Sequence, residues 1–412
     1  MRDFNVLIVG GGASGMYCAL QLAEYGVKNV AIVEKNERLG RKLSATGNGQ
    51  GNVSNTDISA SHYFSSTGSA EAVLKQYDQN CLIQYLTKIG GLFSADEKGR
   101  IYPVSRQASS VTDILRFAIQ KRGVRVFTGE NVVGVNIGGG AKKFLVTTET
   151  DQYNADVLVL ACGGMASPHF GADGAGYEFA KRLGLAVTKL DASLVRLKTD
   201  MAYIRGLKGI RLDCDVCLRR YEGEDKIDVC RRRGDVLFTE SGVSGDVIFW
   251  LSAFAKSNDL LAIDFLPDFP SEKIIDFLQL KITNYPEMMM EDIMRCVVNS
   301  AVGRSVLKSC SIDFTARAKQ TKERVWDIAD RLKIFVLQVT GKDGFANAQV
   351  TKGGVSMKEL DFALMSKKVK GLYVVGELVD IDGECGGYNL QWAFSSGAVA
   401  AKGIAARCAN VD

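Results

Sequence analysis

The chain has 412 residues, a formal charge of +4 and 46% hydrophobic residues, enough for two or three domains with cores of their own and unlike a disordered chain. The mild charge neither requires nor excludes an anionic partner. No apolar run approaches the length of a bilayer span, so no membrane partner is expected. Strand texture already begins at Phe4, which leaves no room for a leader and makes the cytoplasm the expected location.

Phe4–Val9 is an apolar run of the kind shown by a strand covered on both faces. Gly10, Gly12 and Gly15 follow in G-x-G-x-x-G spacing, with Ala13 and Ser14 between them, and open a helical segment from Ala13 to about Tyr25 that Gly26 ends. Val30–Val33 is a second strand, closed by Glu34 and Lys35. The strand–glycine–helix order gives the spacing its meaning. The first glycine permits a tight turn, the second lets backbone approach a pyrophosphate, and the third lets helix pack on strand. The helix N-terminus supplies N–H donors and positive dipole, and an acid at the end of the next strand accepts hydrogen bonds from ribose hydroxyls. A free ribose points to FAD or NAD rather than NADP.

Residues 40–55 have no helical or strand period and are rich in glycine and asparagine. A polar loop directly after the ribose acid is expected to wrap the cofactor. Arg41 and Lys42 would face phosphates, and the Thr46, Gly47, Asn48, Gly49 and Asn52 stretch would lie along the flavin or its ribityl chain. Helical pattern returns over Ala70–Ile89, a hairpin is expected around Lys98–Gly99, and Ser110–Arg122 is an amphipathic helix. Val124–Phe127, Val132–Ile137 and Lys143–Thr148 read as strands, the last two as a meander. Val157–Leu160 is a second buried strand ending in Ala161, Cys162, Gly163 and Gly164, where backbone again comes close to a ligand. Gly171–Gly176 imitates a nucleotide fingerprint but follows no strand, so no second nucleotide domain is expected there.

From 191 to 270 short alternating runs suggest an inserted antiparallel β domain, from 271 to 330 a helical insertion, and from 331 to 350 return strands of the β domain. Arg231–Arg233 reads as a solvated edge, so nucleic acid is not the expected partner. Met288–Met290 reads as helix core. Cys214 and Cys217 form a C-x-x-C on an alternating run, where positions three apart point to opposite faces. With His62 and His169 as the only histidines, no metal site is expected. Gly371–Glu377 is a buried strand ending in Gly376 and Glu377. A loop with Asp380, Asp382, Glu384 and Cys385 follows, and Gly387, Tyr388, Asn389, Leu390 and Gln391 open the last helix. That helix N-terminus would stabilise the negative charge of a reduced flavin. Cys385 reads as a small loop residue rather than a redox group.

These stretches together resemble the bacterial flavoprotein family of NAD(P)/FAD-dependent oxidoreductases that includes aminoacetone oxidase-like and bile-acid ene-reductase-like members. The resemblance rests on Gly10–Gly15 with Glu34, on Gly40–Lys42 through Thr46–Asn52, on Ala161–Gly164, and on Gly376–Glu377 through Asp380 to Gly386–Gln391. It implies an α/β fold: a two-dinucleotide-binding, glutathione-reductase-like FAD domain built from residues 1–190 and 351–412, with β-barrel-like and helical domains inserted. It also implies that Val132 meets the adenine through its backbone. Gln50–Gly51, Cys162 and Cys385 depart from the family's usual residues.

The expected function is an FAD-dependent oxidoreductase that moves hydride through flavin N5 on a small organic substrate. The preferred chemistry is NADH- or NADPH-dependent reduction of an activated C=C bond such as a steroid-like enone. The alternatives are an amine oxidase using oxygen and an RNA-associated flavoprotein. Tyr388, Tyr203 and His169 carry protons that a general acid could use, but no catalytic residue is singled out. The substrate and the oligomeric state are not legible.

Overall fold

The computed structural model describes residues 2–138 and 143–409. The chain divides into two compact units, one formed by residues up to Ala192 together with those from Phe345 onward, the other by Ser193–Gly344. Each has its own apolar core.

In the first unit four parallel strands lie side by side in the order Arg125–Thr128, Val30–Glu34, Arg2–Val9 and Gln152–Leu160. Leu372–Val374 adds in parallel to the C-terminal half of Gln152–Leu160. Phe144–Thr148 pairs antiparallel with the other half of that strand, and Val132–Ile137 lies outside it, closing the expected meander. The pattern of burial explains the arrangement: Val30–Glu34 is buried at every position, as a central parallel strand must be. Helices Ala13–Glu24 and Tyr388–Ala409 pack closely, because Gly397 brings the last helix against the Ser14 carbonyl, where a Cβ would stand 2.6 Å from the oxygen.

One expected helix is two. The 70–89 pattern forms Glu71–Leu74 and Gln79–Lys88, because the Asp78 side chain accepts the Cys81 N–H at 2.9 Å and starts the second helix afresh.

In the second unit six antiparallel strands close a barrel. Around it run Leu197–Thr199, Gly242–Ser244, Asp225–Phe238, Arg211–Glu222, Leu260–Asp264 and Phe335–Lys342, the last pairing back to the first. Helices Ser271–Asn284, Met290–Met294, Ser300–Ser309 and Val325–Lys333 carry the rest of that core, in which Met290 and Met294 are fully buried. Arg233 pairs with Asp213 at 2.8 Å and Asp268 at 2.6 Å, and Arg232 lies 5.0 Å over the Trp250 ring, so two members of this exposed run engage neighbouring side chains. Cys214 and Cys217 both lie buried on one barrel strand.

Among the described residues, no helix is long and apolar enough to cross a membrane.

Candidate cofactor site

The parallel strands of the first unit end at Val9, Glu34, Thr128, Leu160 and Val374, and most of the sequence-singled residues sit on the loops leaving those carboxyl ends. Backbone bonds carry the ladder past the strand ends: Gly10 N–H donates to the Val33 carbonyl at 2.9 Å, Ala161 N–H to Val9 at 2.8 Å, and Val375 N–H to Leu160 at 3.0 Å. A crevice at that edge of an open parallel sheet is where such folds hold ligands.

The three motif glycines meet different surroundings. Gly10 has φ +107°, and a Cβ on it would overlap the Ala161 carbonyl. A Cβ on Gly15 would overlap the Gly10 carbonyl oxygen, so its absence lets the helix seat on the strand. Gly12 has nothing within 4 Å of its Cβ position. It is the N-cap of Ala13–Glu24, with no side-chain cap and no acid in the first turn. Open space thus stands before an uncompensated helix N-terminus at Ala13 and Ser14, a setting that suits a pyrophosphate.

Glu34 is buried, and its carboxylate is held in place. Oε2 accepts the Gly11 N–H at 2.7 Å, and Oε1 accepts the Asn36 N–H at 2.9 Å and its side-chain amide at 2.6 Å. Lys35 pairs with Asp173 at 2.6 Å, while Arg41 reaches the Asn36 side chain at 3.1 Å from the surface. Val132 begins its strand opposite Thr148, next to a segment tied back to Glu34 by the Glu130 N–H at 3.0 Å.

Lys42 is half-buried and pairs with Glu377 at 2.8 Å. Glu377 also accepts the Thr351 N–H at 2.8 Å, and a Cβ on Gly164 would press on both Thr351 and Glu377. Gly376 has φ +70° and lies against Ser14, so the last strand's exit and the first helix meet. Gly163, also left-handed, is open around its Cβ position. Burial pushes the Cys162 thiol up to about 12, with Glu34 and Asp173 adding to it, so it stays a neutral thiol.

The loop after Lys42 turns by left-handed residues at Gly47, Asn48, Gly49 and Gly51, and Thr46 Oγ1 donates to the Leu43 carbonyl at 2.7 Å. Asn52 is buried with no partner for its side-chain oxygen, which lies beside Gly387. A buried acceptor without a donor is costly unless a ligand supplies one. The turn at 386–391 is held by its own side chains. Asn389 donates to the Gly383 carbonyl at 2.7 Å, and Gln391 bridges the Ser54 hydroxyl at 2.6 Å and the Ser395 hydroxyl at 2.9 Å. Leu390 is half-buried against the core. Asp380 is committed differently: its Oδ2 accepts the Ser66 N–H and the hydroxyls of Ser65, Ser66 and Thr67, at 2.7 to 3.3 Å.

Two participants were given no place in the site by the sequence. Thr351 Oγ1 accepts the Met165 and Ala166 N–H groups at 2.8 and 3.0 Å, pinning the loop after Gly164. His62 stacks on Tyr388, with ring centroids 4.5 Å apart. Neither has a local motif, and the only signal for His62 is the scarcity of histidine in the chain. His169 instead lies against Phe170, and Tyr203 packs near Phe335 within the second unit.

A sequence profile of the HI0933-like protein Rossmann domain family matches residues 4–403. The chain is 32% identical over 413 residues to the 3-dehydro-bile acid delta(4,6)-reductase of Clostridium scindens, covering 97% of this chain and 98% of the relative. It is 28% identical over 400 residues to the ribosomal RNA dihydrouridine synthase of Haemophilus influenzae, covering 95% and 96%. Among solved structures, a 3-ketosteroid delta1-dehydrogenase from Sterolibacterium denitrificans aligns with a TM-score of 0.50 at 14% identity, covering 99% of this chain and 100% of the other, a likeness of fold. With a Rossmann-type sheet, the glycine turn and a family match over nearly its whole length, the chain belongs to the HI0933-like Rossmann family and is an oxidoreductase.

Proposed function

We propose that the chain is an FAD-dependent reductase of a C=C bond conjugated to a carbonyl in a small steroid-like molecule, with NADH or NADPH as reductant. The observation that carries this reading is the 32% identity, end to end, with a bile-acid delta(4,6)-reductase. In the proposed arrangement the two chain ends form one two-dinucleotide-type FAD domain. The pyrophosphate faces Gly10–Gly15, the adenosine ribose faces Glu34, and the adenine lies by Val132. The flavin lies along Thr46–Asn52 and Gly386–Gln391, with Ala161–Gly164, Gly376, Glu377 and Asp380 shaping the floor between them.

FAD, when bound, supplies hydride transfer at its N5. The chain's own part is to bind, orient and polarise. The Ala13–Glu24 N-terminus is free of acids and attracts the pyrophosphate. The first turn of Tyr388–Ala409 also lacks acids and would favour negative charge on a reduced ring. The side chains of Asn389 and Gln391 are already committed to partners within the protein, so they act on the cofactor by fixing backbone.

A second reading, an RNA-acting reductase, is favoured by the dihydrouridine synthase relative. Against it, Arg232 and Arg233 are engaged by Trp250, Asp213 and Asp268. The deciding experiment is anaerobic titration of the FAD-loaded protein with NADH and NADPH, then reoxidation by candidate acceptors. Bleaching by a nicotinamide and reoxidation by 3-oxo-4-ene or 4,6-diene steroids supports the proposal. Reoxidation only by uridine-containing ribosomal RNA replaces it with the second reading. A flavin inert to both nucleotides and reduced by amines makes the protein an oxidase.

A further inference from the structure

We infer that His62 is a positioning residue that clamps the Glu384–Tyr388 turn in its doubly protonated form, an inference that rests on reading that turn as flavin-facing. The segment carrying His62 is tied to the turn through backbone, ring and charge. Tyr63 and Phe64 pair antiparallel with Gly383 and Asp382, and the Glu384 N–H donates to the His62 carbonyl at 3.0 Å. The imidazole lies flat on Tyr388, planes 22° apart. The Tyr63 hydroxyl donates to the Tyr388 carbonyl at 3.0 Å.

The polar contacts of the ring decide its form. Nδ1 stands 3.4 Å from Glu384 Oε2, and Nε2 stands 3.2 Å from Asp57 Oδ2. A neutral imidazole has one N–H donor and one lone pair. It therefore turns a lone pair toward one of the two carboxylates, whereas the imidazolium donates to both. Glu384 is nearly enclosed and Asp57 is open to solvent, so the charged ring joins an inner carboxylate to an outer one. The titratable groups facing the ring are Asp57 from the preceding loop, Glu384 from the turn and Tyr388 from the last helix. The Tyr63 phenol stays neutral, its pKa raised by burial and then by Tyr388. His62 acts on the cofactor only through Tyr388 and Glu384.

The test reads the turn directly in flavin-free protein, by amide hydrogen exchange over residues 382–390 corrected for intrinsic rate. From acidic buffer, where the ring is an imidazolium, to alkaline buffer, where it is neutral, wild type should lose protection by about fivefold, the scale of one charged hydrogen bond at a partly exposed site. H62Q keeps a donor and the strand pairing, and should show equal protection at both pH values. E384Q, which removes one of the two charges, should flatten the response as well. Equal protection in wild type at both pH values overturns the inference, and so does a pH response retained in H62Q. FAD titration of the same samples separates the two claims: affinity that falls with protection supports the clamp at a flavin site. A turn that responds to pH in a protein that binds no FAD overturns the flavin reading, and the clamp's role at a cofactor with it.

Discussion

Gly12 and Gly15 belong to one motif, yet a methyl group added to each should do opposite things. At Gly15 the new Cβ overlaps the Gly10 carbonyl, whose oxygen and carbon are both backbone. G15A should therefore cost about 2 kcal/mol or more of stability, because neither partner can move without lifting the helix off the strand. At Gly12 the methyl enters empty space. G12A should leave the melting temperature of flavin-free protein close to wild type while weakening FAD binding about tenfold, by obstructing approach to the helix N-terminus. Calorimetry and FAD titration of the two variants separate architecture from binding; a G12A protein that binds FAD normally would remove the pyrophosphate from that turn. Asp380 poses a similar question with another answer. Its one oxygen collects four donors from Ser65, Ser66 and Thr67. D380A should cost about 2–4 kcal/mol by leaving these donors unpaired, seen as a lowered melting temperature without FAD present.

At the scale of elements, the first helix carries a titration that the unit containing it feels. Burial raises the Cys18 thiol from 9.0 to about 12, and Cys214 on its barrel strand is raised likewise, by burial first and then by Asp213. A folded pKa above the unfolded one means stability that is complete below the unfolded value and lost as pH rises through the folded one. The melting temperature should thus fall between pH 9 and about 12, and C18A should reduce that fall, because alanine has no proton to lose. A fall of the same size in C18A would place the alkaline sensitivity elsewhere. Elements of this kind were also the most legible in sequence. The strands at Phe4, Val30 and Val157 are near-continuous apolar runs, and the glycine turn carries its own spacing, so period and motif sufficed. The 70–89 helix was misread because a cap interrupts an unbroken pattern: the first helix stops at Leu74, and Asp78 starts another. His62 with Glu384 was invisible for a different reason. The two residues are 322 positions apart, and only the pairing of two short strands brings them together. Thr351 likewise reaches the 165–166 backbone across 185 positions or more.

At the scale of the molecule, one cofactor and two cores should leave a thermal signature. The first unit is drawn from both chain ends and the second from the middle, and each encloses its own apolar cluster. Units with separate cores are able to unfold in separate steps. Every residue proposed to hold FAD, from Gly10 to Gln391, belongs to the first unit. A ligand that binds only the folded form stabilises by RT ln(1 + [L]/Kd), about 2.7 kcal/mol at one hundred times Kd. Scanning calorimetry should therefore resolve two transitions, and saturating FAD should raise only one of them. Two substitutions identify which is which: V306A, in the core containing the barrel, should lower the transition that FAD leaves in place, and V159A, in the parallel sheet, should lower the one that FAD raises. If FAD raised the transition that V306A lowers, the cofactor's binding energy would have to reach the barrel unit, and the assignment of the flavin to the first unit alone would fail.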